Sequence, residues 1–181
     1  MVISGYFYHL WTKEHWAHIP MKRLLPDRDP HWPYFSKSEF GELTYQEYLK
    51  SMDQEEGILT EIRRSAGYSL KHMAEWDYAN PNFIEIKYEK LMADWENEFT
   101  RLFNHFGFSE RAIKLSLEVA DKLSFKNVAK RKIGQVKEKS HLRSGRPGQW
   151  QDVFTESQKQ KFKELFGKEL IKLGYEKDID W

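Results

Sequence analysis

One segment of this chain, FIEIKY at 83–88, alternates apolar and polar side chains over the length of a strand, and no other segment does so convincingly. A lone strand is a strong constraint, because its backbone N–H and C=O groups need a ladder partner and one strand cannot supply it. Most of the remaining regular sequence carries the period of a helix. A helix–strand–helix order implies a parallel α/β sheet, since parallel neighbours are joined by crossover helices. The partners of 83–88 are therefore expected either outside these residues or in segments too weakly patterned to recognise.

The helical segments can be read one by one. VISGYFYHLWTKEHW opens the chain as a helix without a cap residue. Residues 19–41 hold four of the six prolines and are expected to form a loop or lid. LTYQEYLKSM (43–52) is a short helix. A longer one over 54–79 places Ile58, Ile62, Ala66, Leu70, Met73 and Trp76 on one face, until Asn80-Pro81 stops it. From Asp94 to Phe106 a helix carries Phe99, Leu102, Phe103 and Phe106 as its stripe, with Gly107 ending it. Ser109 caps another helix through Ala120. Thr155 and Gln158 form a capping box for the last, which buries Phe162, Leu165, Phe166 and Leu170 and ends near Gly174. A chain of 181 residues suits one domain, 1–181.

Charge is distributed unevenly. The net charge of +1 argues against a polycation and makes nucleic acid an unfavoured partner, yet residues 126–146 hold eight Lys/Arg against one acid, Glu138. This run leads into HLRSGRPGQW (141–150). A glycine-containing turn there frees N–H groups to face a ligand, and Arg143 and Arg146 can fork onto phosphate or sulfate oxygens. The alternative is a loop whose arginines face water. The chain lacks cysteine, which removes disulfides, thiolate metal sites and cysteine nucleophiles. It has no apolar run of membrane-spanning length, so a cytoplasmic location without membrane contact is expected. His9, His15 and His18 raise the question of a metal, but no HExxH-type carboxylate accompanies them and no metal is expected.

Three segments, read in order, resemble the cytosolic-type P-loop sulfotransferases, which use 3′-phosphoadenosine 5′-phosphosulfate (PAPS). VISGYFYH is similar to the family's V-x-S-x-Y-x-H, where strand meets helix. FIEIKYEKLMADWENEFTRLFNHFGF resembles its strand, Tyr-Glu-Asp-Leu and acidic helix ending in Phe-Gly. RSGRPGQW resembles R-K-G-x-x-G-D-W. GYSLKHMAEW and LSFKNV add fainter likeness. The resemblance runs from end to end of the chain and covers about the C-terminal half of the family domain. It implies a P-loop sulfotransferase-like parallel sheet with flanking helices, of which these residues carry a helix-rich portion with few strands.

The resemblance also assigns roles. It implies that the Ser4 hydroxyl holds the 3′-phosphate, that Arg143 grips the same group, and that the Ser144 and Gly145 N–H groups add donors. It places Tyr88 by the adenine and Phe125 stacked on it, with Ser124 alongside. The segment 126–150 becomes a basic nucleotide-binding element. Read without it, Ser4 is a small helix residue, Tyr88 and Phe125 are packing residues, Arg146 is a solvent charge, and Trp11, Trp16 and Trp32 line core or an acceptor pocket. The reaction implied is transfer of a sulfuryl group from PAPS to a hydroxyl or amine of a small-molecule acceptor.

Departures from the pattern are specific. Ser144 stands where the family has lysine, and Gln149 where it has aspartate. Only Thr155 remains of the family's dimer motif, so that dimer is not expected. Neither the phosphate loop with its lysine nor the histidine acting as general base has a counterpart, and these residues alone are expected to be a truncated, inactive form. The rival reading is a non-catalytic nucleotide- or nucleic-acid-binding module using 126–150.

Overall fold

A computed structural model describes residues 1–24 and 37–181. The helices in chain order are α1 (Val2–Trp11), α2 (Met21–Leu24), α3 (Tyr45–Lys50), α4 (Gln54–Glu61), α5 (Gly67–Glu75), α6 (Tyr88–Ala93), α7 (Trp95–His105), α8 (Glu110–Lys122), α9 (Phe125–Ala129), α10 (Trp150–Val153) and α11 (Glu156–Lys172). Single 3-10 turns occur at His15–His18 and Lys37–Glu39, and a wider π turn, Ile62–Ala66, joins α4 to α5. The expected loop 19–41 is a helical turn where it is described at Met21–Leu24, with Met21 and Phe40 both buried. Trp32 lies outside the described residues, with the rest of 25–36.

Among the described residues there is no strand; one isolated bridge pairs Pro20 with Thr44. The expected strand 83–88 is therefore corrected. Residues 83–87 run without regular structure, and Tyr88 already opens α6. The reason is the one that made the segment conspicuous: no partner backbone offers a ladder. Its polar groups are met otherwise, as where Arg101 Nη2 donates to the Glu85 carbonyl at 2.6 Å while also bridging Glu98 at 2.8 Å.

The chain divides into two compact units. The first comprises Met1–Trp76, Glu138–His141 and Gln149–Trp181. Its core joins Val2, Ile3 and Tyr6 of α1, Tyr45 and Leu49 of α3, Ile58, Ile62, Ala66 and Leu70 along the α4–α5 line, and Phe166 of α11. The apolar face expected of 54–79 is thus buried through Leu70. Trp76, however, is 58% exposed, because α5 ends one residue before it. The first turn of α11 is closed by the capping box: Thr155 Oγ1 accepts from Gln158 N, and Gln158 Oε1 accepts from Thr155 N.

The second unit, Asp77–Lys137 with Leu142–Gly148, packs α6 on α7, α7 on α8, and α8 on α9. Asp94 and Ser109 cap α7 and α8 with their side chains. Phe99, Phe103 and Phe108 stack in sequence, with ring centroids 5.9 and 5.3 Å apart. Phe106, expected in the buried stripe, is instead exposed at the end of α7. No helix among the described residues is long and apolar enough to cross a membrane.

Candidate functional site

The second unit brings most of the expected site residues to one turn. Arg143 and Ser144 are both buried, and Gly145 follows at φ +66, a left-handed conformation that favours glycine. A Cβ on Gly145 would also stand 2.8 Å from Cδ2 of Phe125, so the ring and the turn backbone are in close approach. Tyr88, the first residue of α6, donates its phenol to the Gly145 carbonyl at 2.8 Å. Burial, and secondarily the Glu89 carboxylate, raise the Tyr88 pKa, which keeps that donor protonated. Ser124 sits at the N-cap position of α9 beside Phe125, without a side-chain capping bond.

The other two carbonyls of the turn are bonded as well. Gly134 N donates to Ser144 O at 2.8 Å, and Lys137 N donates to Arg143 O at 2.9 Å. Arg131 Nη1 adds a second bond to Arg143 O at 2.7 Å. All three carbonyls of residues 143–145 are thus held by protein donors. No acceptor among the described residues takes the N–H of Ser144 or of Gly145. Two unclaimed amides in a turn that begins at a buried arginine suit a small dianion, and this is the observation on which a phosphate fits the residues present.

Ser4 belongs to the first unit, exposed on the first turn of α1. The sequence pattern missed Arg131, because it stands among eight cations of one run and nothing in its spacing sets it apart. Its guanidinium lies 4.8 Å from the Phe125 ring centroid, and its Nη2 is buried with no hydrogen-bond partner among the described residues.

The first unit contains two further features. A cavity of about 530 Å³ is lined by Phe7, Tyr8, Trp11, Glu14, Lys139 and His141, among others. Glu14 accepts from the Tyr8 phenol and, at 2.6 Å, from Trp16 Nε1; these donors hold its carboxyl below the ordinary value. Lys139 Nζ lies 4.4 Å from the centroid of the Trp11 ring. Separately, His9, Tyr45 and Arg64 surround the fully buried Glu61. Among the described residues no group of three or more His, Cys, Asp or Glu is placed to hold a metal ion.

Compared with known families, the chain matches the sulfotransferase domain over residues 6–174. That span is most of the chain, and the protein belongs to the sulfotransferase family. It takes in every expected site residue except Ser4, which precedes it. Searches of curated proteins and of solved structures returned no match.

Proposed function

We propose that the second unit binds the 3′-phosphoadenosine end of PAPS, in the service of sulfuryl transfer to a hydroxyl or amine acceptor within an α/β sulfotransferase domain. The observation that carries this reading is the 143–145 turn, with its three bonded carbonyls, two unclaimed amides and the buried Arg143 at its head. Arg143 would supply charge, and the Ser144 and Gly145 amides would supply neutral donors to the 3′-phosphate. The substitution of Ser144 for the family lysine costs little if the contact is made by its N–H. Phe125 would lie against the adenine, with Ser124 and Tyr88 nearby. PAPS supplies the activated sulfuryl group; the residues named here bind and orient its nucleotide.

The acceptor is proposed to enter the cavity beside Trp11 and Tyr8, where aromatic surface and polar groups occur together. A second reading draws on Lys126, Lys130, Lys132 and Lys137, all exposed along the basic segment. They would serve a non-catalytic nucleotide- or nucleic-acid-binding module.

Isothermal titration with 3′,5′-ADP and with 5′-AMP separates the two. The proposal expects tighter binding of 3′,5′-ADP, and Arg143→Ala should weaken it about 10- to 100-fold, the scale of one lost charge-assisted contact. Equal affinity for the two nucleotides, with RNA binding that falls steeply as salt rises, would favour the module instead.

A further inference from the structure

We infer that Arg131 is a positioning residue of the nucleotide site, a strap that aims the amides of the 143–145 turn at the phosphate. The inference rests on the reading of that turn as the 3′-phosphate site. A trans peptide unit is planar, with its C=O and the following N–H pointing in opposite directions. Whatever grips the Arg143 carbonyl therefore sets the direction of the Ser144 N–H, and whatever grips the Ser144 carbonyl sets that of the Gly145 N–H. The first carbonyl is gripped twice, by Arg131 Nη1 at 2.7 Å and by Lys137 N at 2.9 Å. The second is gripped by Gly134 N at 2.8 Å.

Arg131 also organises the loop that delivers those other two donors. Its Nη1 donates to the Gln135 carbonyl as well, closing the 131–135 turn, within which Lys132 N donates to Gln135 Oε1 at 2.9 Å. The same guanidinium stands over the Phe125 ring, 4.8 Å from its centroid. One guanidinium thus donates through Nη1 to two backbone carbonyls and stands over an aromatic ring. A lysine ammonium has donors enough for both carbonyls, since one nitrogen makes both bonds, but it has no planar group to lie over the ring at the same time. The Phe125 ring is in turn the surface that the Gly145 backbone approaches too closely to admit a Cβ. The carbonyls of 143 and 144 and the Phe125 ring against residue 145 are therefore all held by Arg131 or by the loop it closes, and each following amide points away from its held carbonyl.

The test uses Arg131→Lys, which keeps the charge, and Arg131→Gln, which keeps a planar donor. Affinity for 3′,5′-ADP and for 5′-AMP is measured by titration calorimetry, and thermal melting is followed by circular dichroism. Both variants should melt close to the wild type while the preference for 3′,5′-ADP over 5′-AMP falls about tenfold, one hydrogen-bonded phosphate contact's worth. Lysine should give no rescue. An unchanged preference in either variant overturns the inference. So does a lowered melting point with both nucleotides weakened in parallel, since a merely structural arginine would give that result. A wild type without any preference for 3′,5′-ADP would overturn the phosphate reading itself, and this inference with it.

Discussion

The carboxylate of Glu61 is sealed from solvent, and its Oε1 receives the Tyr45 hydroxyl at 2.5 Å and lies 2.6 Å from His9 Nδ1. Arg64 Nη1 stands 3.9 Å away, and the same guanidinium covers the Tyr45 ring at 4.5 Å. Burial, reinforced by Glu61, holds the Tyr45 phenol well above its ordinary pKa, so it stays a donor to the carboxylate. These contacts tie α1, α3 and α4 together through one side chain. Removing that side chain strands the polar groups that face it in the interior, where they are costly to leave unpaired. Glu61→Ala is expected to lower unfolding free energy by about 3–5 kcal/mol, the usual cost of breaking a buried ionic pair. Urea titration reads this directly; a loss under about 1 kcal/mol, the scale of an exposed pair, would mean that the network contributes no more than a surface one.

Elements show where local sequence is a sufficient guide and where it fails. The start of α11 was readable because a capping box is a local bond pattern, Thr155 to Gln158 and back. Its tertiary use was not: Thr155 Oγ1 also donates to Glu55 Oε1 at 3.0 Å, and Gln158 Nε2 donates to the Glu55 carbonyl at 3.0 Å. Thr155→Ala should therefore cost at least the ~1 kcal/mol of a lost N-cap. Thr155→Ser, which keeps the hydroxyl, should recover most of it in the same denaturation measurement. The segment 83–88 failed for the complementary reason. Alternation reports which faces of a strand would differ, but pairing depends on a neighbour that no local pattern encodes. The 54–79 helix was placed correctly through Leu70 and overran at Trp76, since the periodicity continues past the residue where the backbone turns extended. Arg143, Ser144, Gly145, Phe125 and Tyr88, which the structure brings together, were singled out by ordered motifs, as was Ser4, which lies in the first unit. Arg131 was not, because its importance lies in which carbonyls it reaches.

At the scale of the whole molecule, what the two units hold can be set against what the reaction demands. In-line sulfuryl transfer requires charge neutralisation at the bridging oxygen of the donor and removal of a proton from the acceptor. On the proposed reading the 143–145 turn offers Arg143, two amides and the nearby Phe125 ring, a set for holding a nucleotide's 3′ end. In the first unit, Glu14 is occupied by the Tyr8 and Trp16 donors and held below its ordinary pKa, which makes it a weak proton acceptor. Glu61 is enclosed among His9, Tyr45 and Arg64, out of reach of an acceptor. No phosphate-loop lysine occurs in these residues to meet the 5′-phosphosulfate. If the second unit serves only to hold the nucleotide, the 181-residue chain, purified as such, should bind 3′,5′-ADP and transfer no sulfuryl group. Incubation with radiolabelled PAPS and a mixture of phenolic, sugar and amine acceptors is the direct measurement. Labelled product that disappears with Arg143→Ala would show that these residues catalyse the transfer unaided, and that the assignment of the second unit to nucleotide holding alone is too narrow.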